Sequence, residues 1–103
     1  MEYYIVCMDA KGNQPAIFEE EVRAIEILGG LLGMEGSPRW DRGGNYSVEF
    51  LGKELAQEFV EAFREFEVYP RRVYIIPTGK WEEREAARLD KTLRAFEKER
   101  GKE

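Results

Sequence analysis

Residues Tyr3-Tyr4-Ile5-Val6-Cys7-Met8 are apolar or aromatic at odd and even positions alike, which predicts a strand covered on both faces. Asp9-Ala10-Lys11-Gly12-Asn13 follows as a turn. Pro15 suits the first turn of a helix, with Asn13 or Gln14 near its cap. Phe18, Val22, Ile25, Leu28 and Leu32 then recur at helical spacing. Ile27 and Leu31 fall off that stripe, Gly29-Gly30 weakens the last turns, and Gly33 or Gly36 ends the helix. Tyr46, Val48 and Phe50 alternate with Ser47 and Glu49, the mark of a strand with one apolar face. Leu55, Phe59, Ala62, Phe63 and Phe66 trace a second helix. Arg72-Val73-Tyr74-Ile75-Ile76 is another strand apolar on both faces, broken by Pro77-Thr78-Gly79. A last helix spans about Trp81 to Glu99, with Ala86, Leu89, Leu93 and Phe96 as its stripe. Glu82, Glu83 and Glu85 complement its positive N-terminal end.

The fold turns on Ser37-Pro38-Arg39-Trp40-Asp41-Arg42-Gly43-Gly44-Asn45-Tyr46, a stretch that is polar, glycine-rich and aromatic at once. Pro38-Arg39-Trp40-Asp41 can form a short edge strand, where proline is tolerated. Arg42-Gly43-Gly44-Asn45 can turn the chain, glycine supplying the positive φ of a hairpin. The order is then β-α-β-β-α-β with an additional C-terminal helix: an α+β, ferredoxin-like sandwich in one domain, residues 1–100, with a frayed tail at 101–103. The alternative is a three-stranded β-α-β-α-β-α sheet with a long loop over residues 35–45. A loop of that length is less common than a hairpin in so small a domain. In the sandwich, two helices cover one sheet face. The first and last strands are nevertheless apolar on both, so the C-terminal helix, a second copy of the chain, or both must cover the other face. A homodimer through that open face is expected.

Composition narrows the chemistry. The chain has 103 residues, 43% apolar and 36% charged, which suits one folded, soluble domain with a thin core. Its net charge of −5 argues against general nucleic-acid coating. The absence of histidine excludes every histidine-dependent triad or zinc site. Cys7 is the only cysteine, so no internal disulfide forms; inside an apolar run it reads as a buried structural thiol. No 18-residue apolar run exists, and Glu2 and Asp9 interrupt any signal-like start, which implies a cytoplasmic protein without a membrane span. Eighteen glutamates against two asparagines and two glutamines lean toward the composition of thermostable proteins.

In the preferred topology the end of the first strand, the hairpin and the start of the last strand meet at one end of the sheet. Asp9, Asp41, Arg42, Arg71 and Arg72 would gather there, with Arg39 and Trp40 on the adjoining edge. Guanidinium forks suit phosphate or carboxylate, and Trp40 could stack on a ring. The candidate binding residues are therefore Arg39, Trp40, Arg42, Arg71 and Arg72. The competing reading is a solvated ion-pair network. Tyr4, Tyr46 and Tyr74 could line one sheet face, as a subunit interface or a platform for a flat ligand. Thr78-Gly79-Lys80 precedes a helix but lacks the rest of a phosphate-binding loop. Gly29-Gly30-Leu31-Leu32-Gly33 reads as close packing rather than a dinucleotide fingerprint.

The run Tyr3 to Asp9, an apolar strand closed by aspartate, resembles the small CRISPR-associated nucleases of ferredoxin-like fold. That resemblance covers seven residues. It implies a metal-linked Asp9 in a dimeric nuclease; the end-of-sheet cluster offers Asp41 as a second carboxylate for such a metal-dependent phosphodiesterase. That phosphodiesterase is the alternative; the leading reading is a non-enzymatic homodimeric binding or assembly module that needs no cofactor and contacts an anionic ligand or a protein partner.

Overall fold

The structure, a computed structural model, describes residues 2–11, 19–41, 43–66 and 71–100. Gly12, Asn13, Gln14, Pro15, Phe18, Arg42, Tyr69 and the tail 101–103 lie outside them. The chain runs β1 (Tyr3–Ala10), α1 (Glu19–Leu31), β2 (Glu35–Trp40), β3 (Tyr46–Leu51), α2 (Lys53–Phe63), β4 (Arg71–Pro77) and α3 (Thr78–Arg100). The four strands form one antiparallel sheet in the order β2-β3-β1-β4. The hairpin is therefore present and the three-stranded alternative is not. Among the described residues, no helix is long and apolar enough to cross a membrane.

Strand alternation assigns each side chain to a face. Tyr4, Val6 and Met8 stand opposite Phe50, Val48 and Tyr46 on β3, and Val6 and Met8 stand opposite Ile75 and Val73 on β4. This is the core face. Ile25 from α1 and Ala56, Phe59 and Phe63 from α2 close it, all with no exposure. The Phe59 ring lies 5.3 Å from Phe50 and 5.9 Å from Phe63. Each of these buried rings stabilises the fold by roughly 1.5–3 kcal/mol. Ile27 and Leu31 point to solvent, as their place off the α1 stripe predicts. Phe66, expected on the α2 stripe, is exposed, because that helix ends at Phe63.

Ile5, Cys7 and Asp9 point to the second face, opposite Ile76, Tyr74 and Arg72 on β4. Ile5 and Cys7 are also buried, because the first turns of α3 lie across β1 and β4. Pro77-Thr78-Gly79 makes no loop: β4 ends at Pro77 and α3 begins at Thr78. Thr78 Oγ1 bonds to Glu49 Oε2 at 2.8 Å, which fixes the start of the helix to this face. Tyr4 and Tyr46 therefore lie on the core face and Tyr74 on the opposite one, so the three tyrosines do not form one platform.

The β2–β3 ladder shifts register between Glu35 and Arg39, around the buried Pro38. A bulge beside proline suits an edge strand. At the hairpin, Gly44 takes φ 80 and donates its N–H to Asp41 O at 3.2 Å, while Asp41 N–H donates to Asn45 O at 3.1 Å.

Candidate functional site

The α3 helix crosses the second face at a distance that leaves a cavity of about 480 Å³ between it and the sheet. Asp9 and Cys7 from β1, Arg39 and Trp40 from β2, and Arg72 and Tyr74 from β4 line it from the sheet side. Trp81, Arg84, Glu85 and Arg88 line it from α3, at positions one turn and two turns apart on one side of the helix. Asp41 and Asn45 close the hairpin end.

Four guanidiniums and three carboxylates face this space. Arg84 is fixed: Nη1 donates to Tyr74 Oη at 2.7 Å and Nη2 approaches Cys7 Sγ at 3.7 Å. The bond to Tyr74 raises its pKa, so it stays charged. Arg88 pairs with Glu85 at 2.7 Å. Arg39 and Arg72 differ. Each lies over an aromatic ring, Arg39 over Trp81 at 5.1 Å and Arg72 over Tyr74 at 5.2 Å. Among the described residues, neither makes an ion pair. A guanidinium held over a ring and not paired with a carboxylate keeps N–H groups for another acceptor.

The carboxylates have distinct roles. Asp41 Oδ1 accepts the N–H groups of Gly43 at 2.8 Å and Asn45 at 3.1 Å, and Oδ2 accepts Asn45 Nδ2 at 3.1 Å. Burial pushes this carboxyl up, but those hydrogen bonds and the Arg88 charge outweigh it and hold the group below the ordinary aspartate value. Asp41 is thus a charged hairpin lock. Asp9 faces Tyr74, whose phenol burial raises most, with Asp9 adding to the rise as a hydrogen-bond acceptor. Burial also pushes the Cys7 thiol up, against hydrogen bonds from Tyr74 and Arg84 that pull it down. A buried, protonated thiol matches the structural role expected for it. Among the described residues, no group of three or more cysteine and carboxylate side chains could hold a metal ion.

Of the residues expected to form a site, the fold brings together Asp9, Arg39, Trp40, Asp41 and Arg72. Arg42 lies outside the described residues. Arg71 does not join them. It is adjacent to Arg72 on a strand, so it faces the core side, where its Nε meets Glu21 Oε2 at 2.7 Å and its Cζ lies 4.4 Å from the Tyr46 ring centroid. A further bond runs from Arg71 Nη1 to Gly44 O. Trp81, Arg84, Glu85 and Arg88 were absent from the sequence-based candidate site. Their recurrence at i, i+3, i+4 and i+7 is a helical stripe in its own right, masked by the more apolar one beside it. No protein-family model matches this sequence, and no curated protein is significantly similar to it.

Proposed function

We propose that this chain is a non-enzymatic binding module of ferredoxin-like architecture whose cavity under α3 takes an anion bearing a flat ring. The element order β-α-β-β-α-β and the antiparallel order β2-β3-β1-β4 support that architecture. One observation carries the ligand reading: Arg39 and Arg72 lie on aromatic rings at the cavity wall without a carboxylate partner among the described residues. Fork-shaped donors suit phosphate or carboxylate, and the half-exposed Trp40 offers a stacking surface for the ring. The Asp41 oxygens are committed to the hairpin, which favours binding over metal-dependent phosphodiester cleavage by Asp9 and Asp41.

A homodimer belongs to the same reading. Tyr3, 39% exposed, and the half-buried Leu51 and Ile76 share the second sheet face and are apolar enough to seat a second copy.

A thermal-shift series with a nucleoside monophosphate, inorganic phosphate and Mn²⁺, with the mass in solution recorded alongside, tests the proposal. The expected result is a rise with the nucleotide that exceeds the rise with phosphate and disappears in Arg39→Ala and Arg72→Ala, since a ligand bound by the folded state alone stabilises it. A rise with Mn²⁺ lost in Asp9→Ala would replace this reading with the phosphodiesterase. No rise with any of the three removes the anion site, and a monomeric mass removes the dimer.

A further inference from the structure

The apolar stripe of α3 meets no apolar partner among the described residues. Every residue from Ala86 to Arg100 is exposed, with Leu89 at 61%, Leu93 at 52% and Phe96 at 58%. Ala86, Leu89, Leu93 and Phe96 are spaced three, four and three residues apart. That is the a/d seam of a heptad helix, which is narrow and directed at one neighbouring helix. The seam is distinct from the cavity-facing stripe of Trp81, Arg84, Glu85 and Arg88, so α3 presents two working faces. It continues the molecule without burying itself: among its described residues none is buried.

The positions flanking the seam decide what can cover it. In heptad terms the e positions are Glu83, Asp90 and Glu97, and the g positions are Glu85, Thr92 and Glu99. Five of these six are acidic. Glu85 and Asp90 make exposed pairs with Arg88 and Arg94 of the same helix, and such surface pairs are readily exchanged. Glu83, Glu97 and Glu99 make no ion pair among the described residues. A second copy of α3 would set g against e positions in a parallel pair, or e against e and g against g in an antiparallel one. Both arrangements oppose carboxylate to carboxylate, which disfavours self-pairing along this seam. An anionic membrane surface is disfavoured because the positions beside the seam, where an interfacial helix meets the headgroups, are acidic, while the basic Arg84, Lys91 and Lys98 lie on the far side of the helix.

From these observations we infer that α3 docks an amphipathic helix of another protein that carries a leucine-type stripe flanked by lysine or arginine. The contact runs over eleven residues of α3, roughly 16 Å at 1.5 Å per residue. Such a contact is short for a permanent complex, so the association is weak, reversible and salt-sensitive. Its apolar seam residues line neither the cavity nor the sheet face; Glu85 alone is shared with the cavity wall.

Two designed helical peptides of three heptads, identical in their apolar stripe but carrying lysine or glutamate at the flanking positions, test this on the full chain by fluorescence anisotropy. The lysine peptide is expected to bind at least tenfold more tightly than the glutamate peptide, and to weaken several-fold as salt rises from low to physiological ionic strength. The double variant Leu89→Gln, Leu93→Gln should lose that binding while keeping its melting temperature, because neither side chain is packed. Glu97→Lys with Glu99→Lys should shrink the preference for the lysine peptide several-fold. Equal binding of both peptides, absence of binding, or a self-association that depends on Leu93 would each overturn the inference.

Discussion

Glu21 and Arg71 have no side-chain exposure, and their closest atoms are 2.7 Å apart. The guanidinium also bonds to Gly44 O and lies over the Tyr46 ring, so it links α1, the hairpin and β4. Removing one partner leaves the other charge buried. Glu21→Ala should therefore cost about 3–5 kcal/mol, a large share of the roughly 5–15 kcal/mol that holds a domain folded. Replacing both with apolar residues should recover most of that loss. Urea denaturation of the single and double variants measures it, and a single-variant loss below about 1 kcal/mol would show that the pair is not the clamp described. Both positions were legible in the sequence. Glu21 lies four residues before Ile25 on the α1 stripe, and Arg71 precedes Val73 by two residues and Ile75 by four. Reading adjacent arginines as one cluster overlooked the alternation that separates Arg71 from Arg72. The same rule separates Tyr74 from Tyr46, but only once the cross-strand register is known, and register is a tertiary property.

At the scale of elements, the paired glycines near the end of α1 behave differently although the sequence presents them together. A Cβ on Gly29 would collide with Met34 Sδ and stand 3.3 Å from Met34 Cγ, whereas nothing lies within 4 Å of one on Gly30. Gly29 is what lets the chain fold back so that Met34 packs against the core; its N–H-accepting carbonyl also receives Met34 N–H at 2.8 Å. Gly30→Ala should stabilise the protein by about 0.5–1 kcal/mol through helix propensity. Gly29→Ala should fall short of it by about 1 kcal/mol or more, because Met34 must move. Equal effects of the two substitutions in thermal unfolding would mean that the Met34 contact carries no weight. Close packing, expected of the glycine run, holds at Gly29 and not at Gly30 or Gly33, and its partner Met34 lies beyond the helix. The hairpin was legible for a local reason: Asp41, Gly43, Gly44 and Asn45 hold its bonds among themselves.

At the scale of the whole molecule, α3 is what the sequence represented least well. Its most apolar positions suggested a face packed on the sheet. The structure gives that place to Trp81, Arg84, Glu85 and Arg88 and leaves Leu89, Leu93 and Phe96 in solvent. Ranking stripes by hydropathy cannot find a polar, aromatic face that covers a sheet through cation–π contacts. The helix thereby divides into two parts. The first three turns shield Ile5 and Cys7 and build the cavity; the rest carries only the exposed seam. Shortening the chain in two steps separates these parts. A chain ending at Arg88 should keep Cys7 unreactive toward a thiol reagent and lose little melting temperature, because the described residues removed are all exposed. A chain ending at Pro77 should expose Ile5 and Cys7, speed thiol modification at least tenfold and lower the melting temperature, since the apolar second face would meet water. Fast modification of Cys7 in the full chain, at the rate of the unfolded protein, would contradict the cover that α3 provides. Slow modification in both shortened chains would instead place the cover on a second copy of the chain seated over the sheet face.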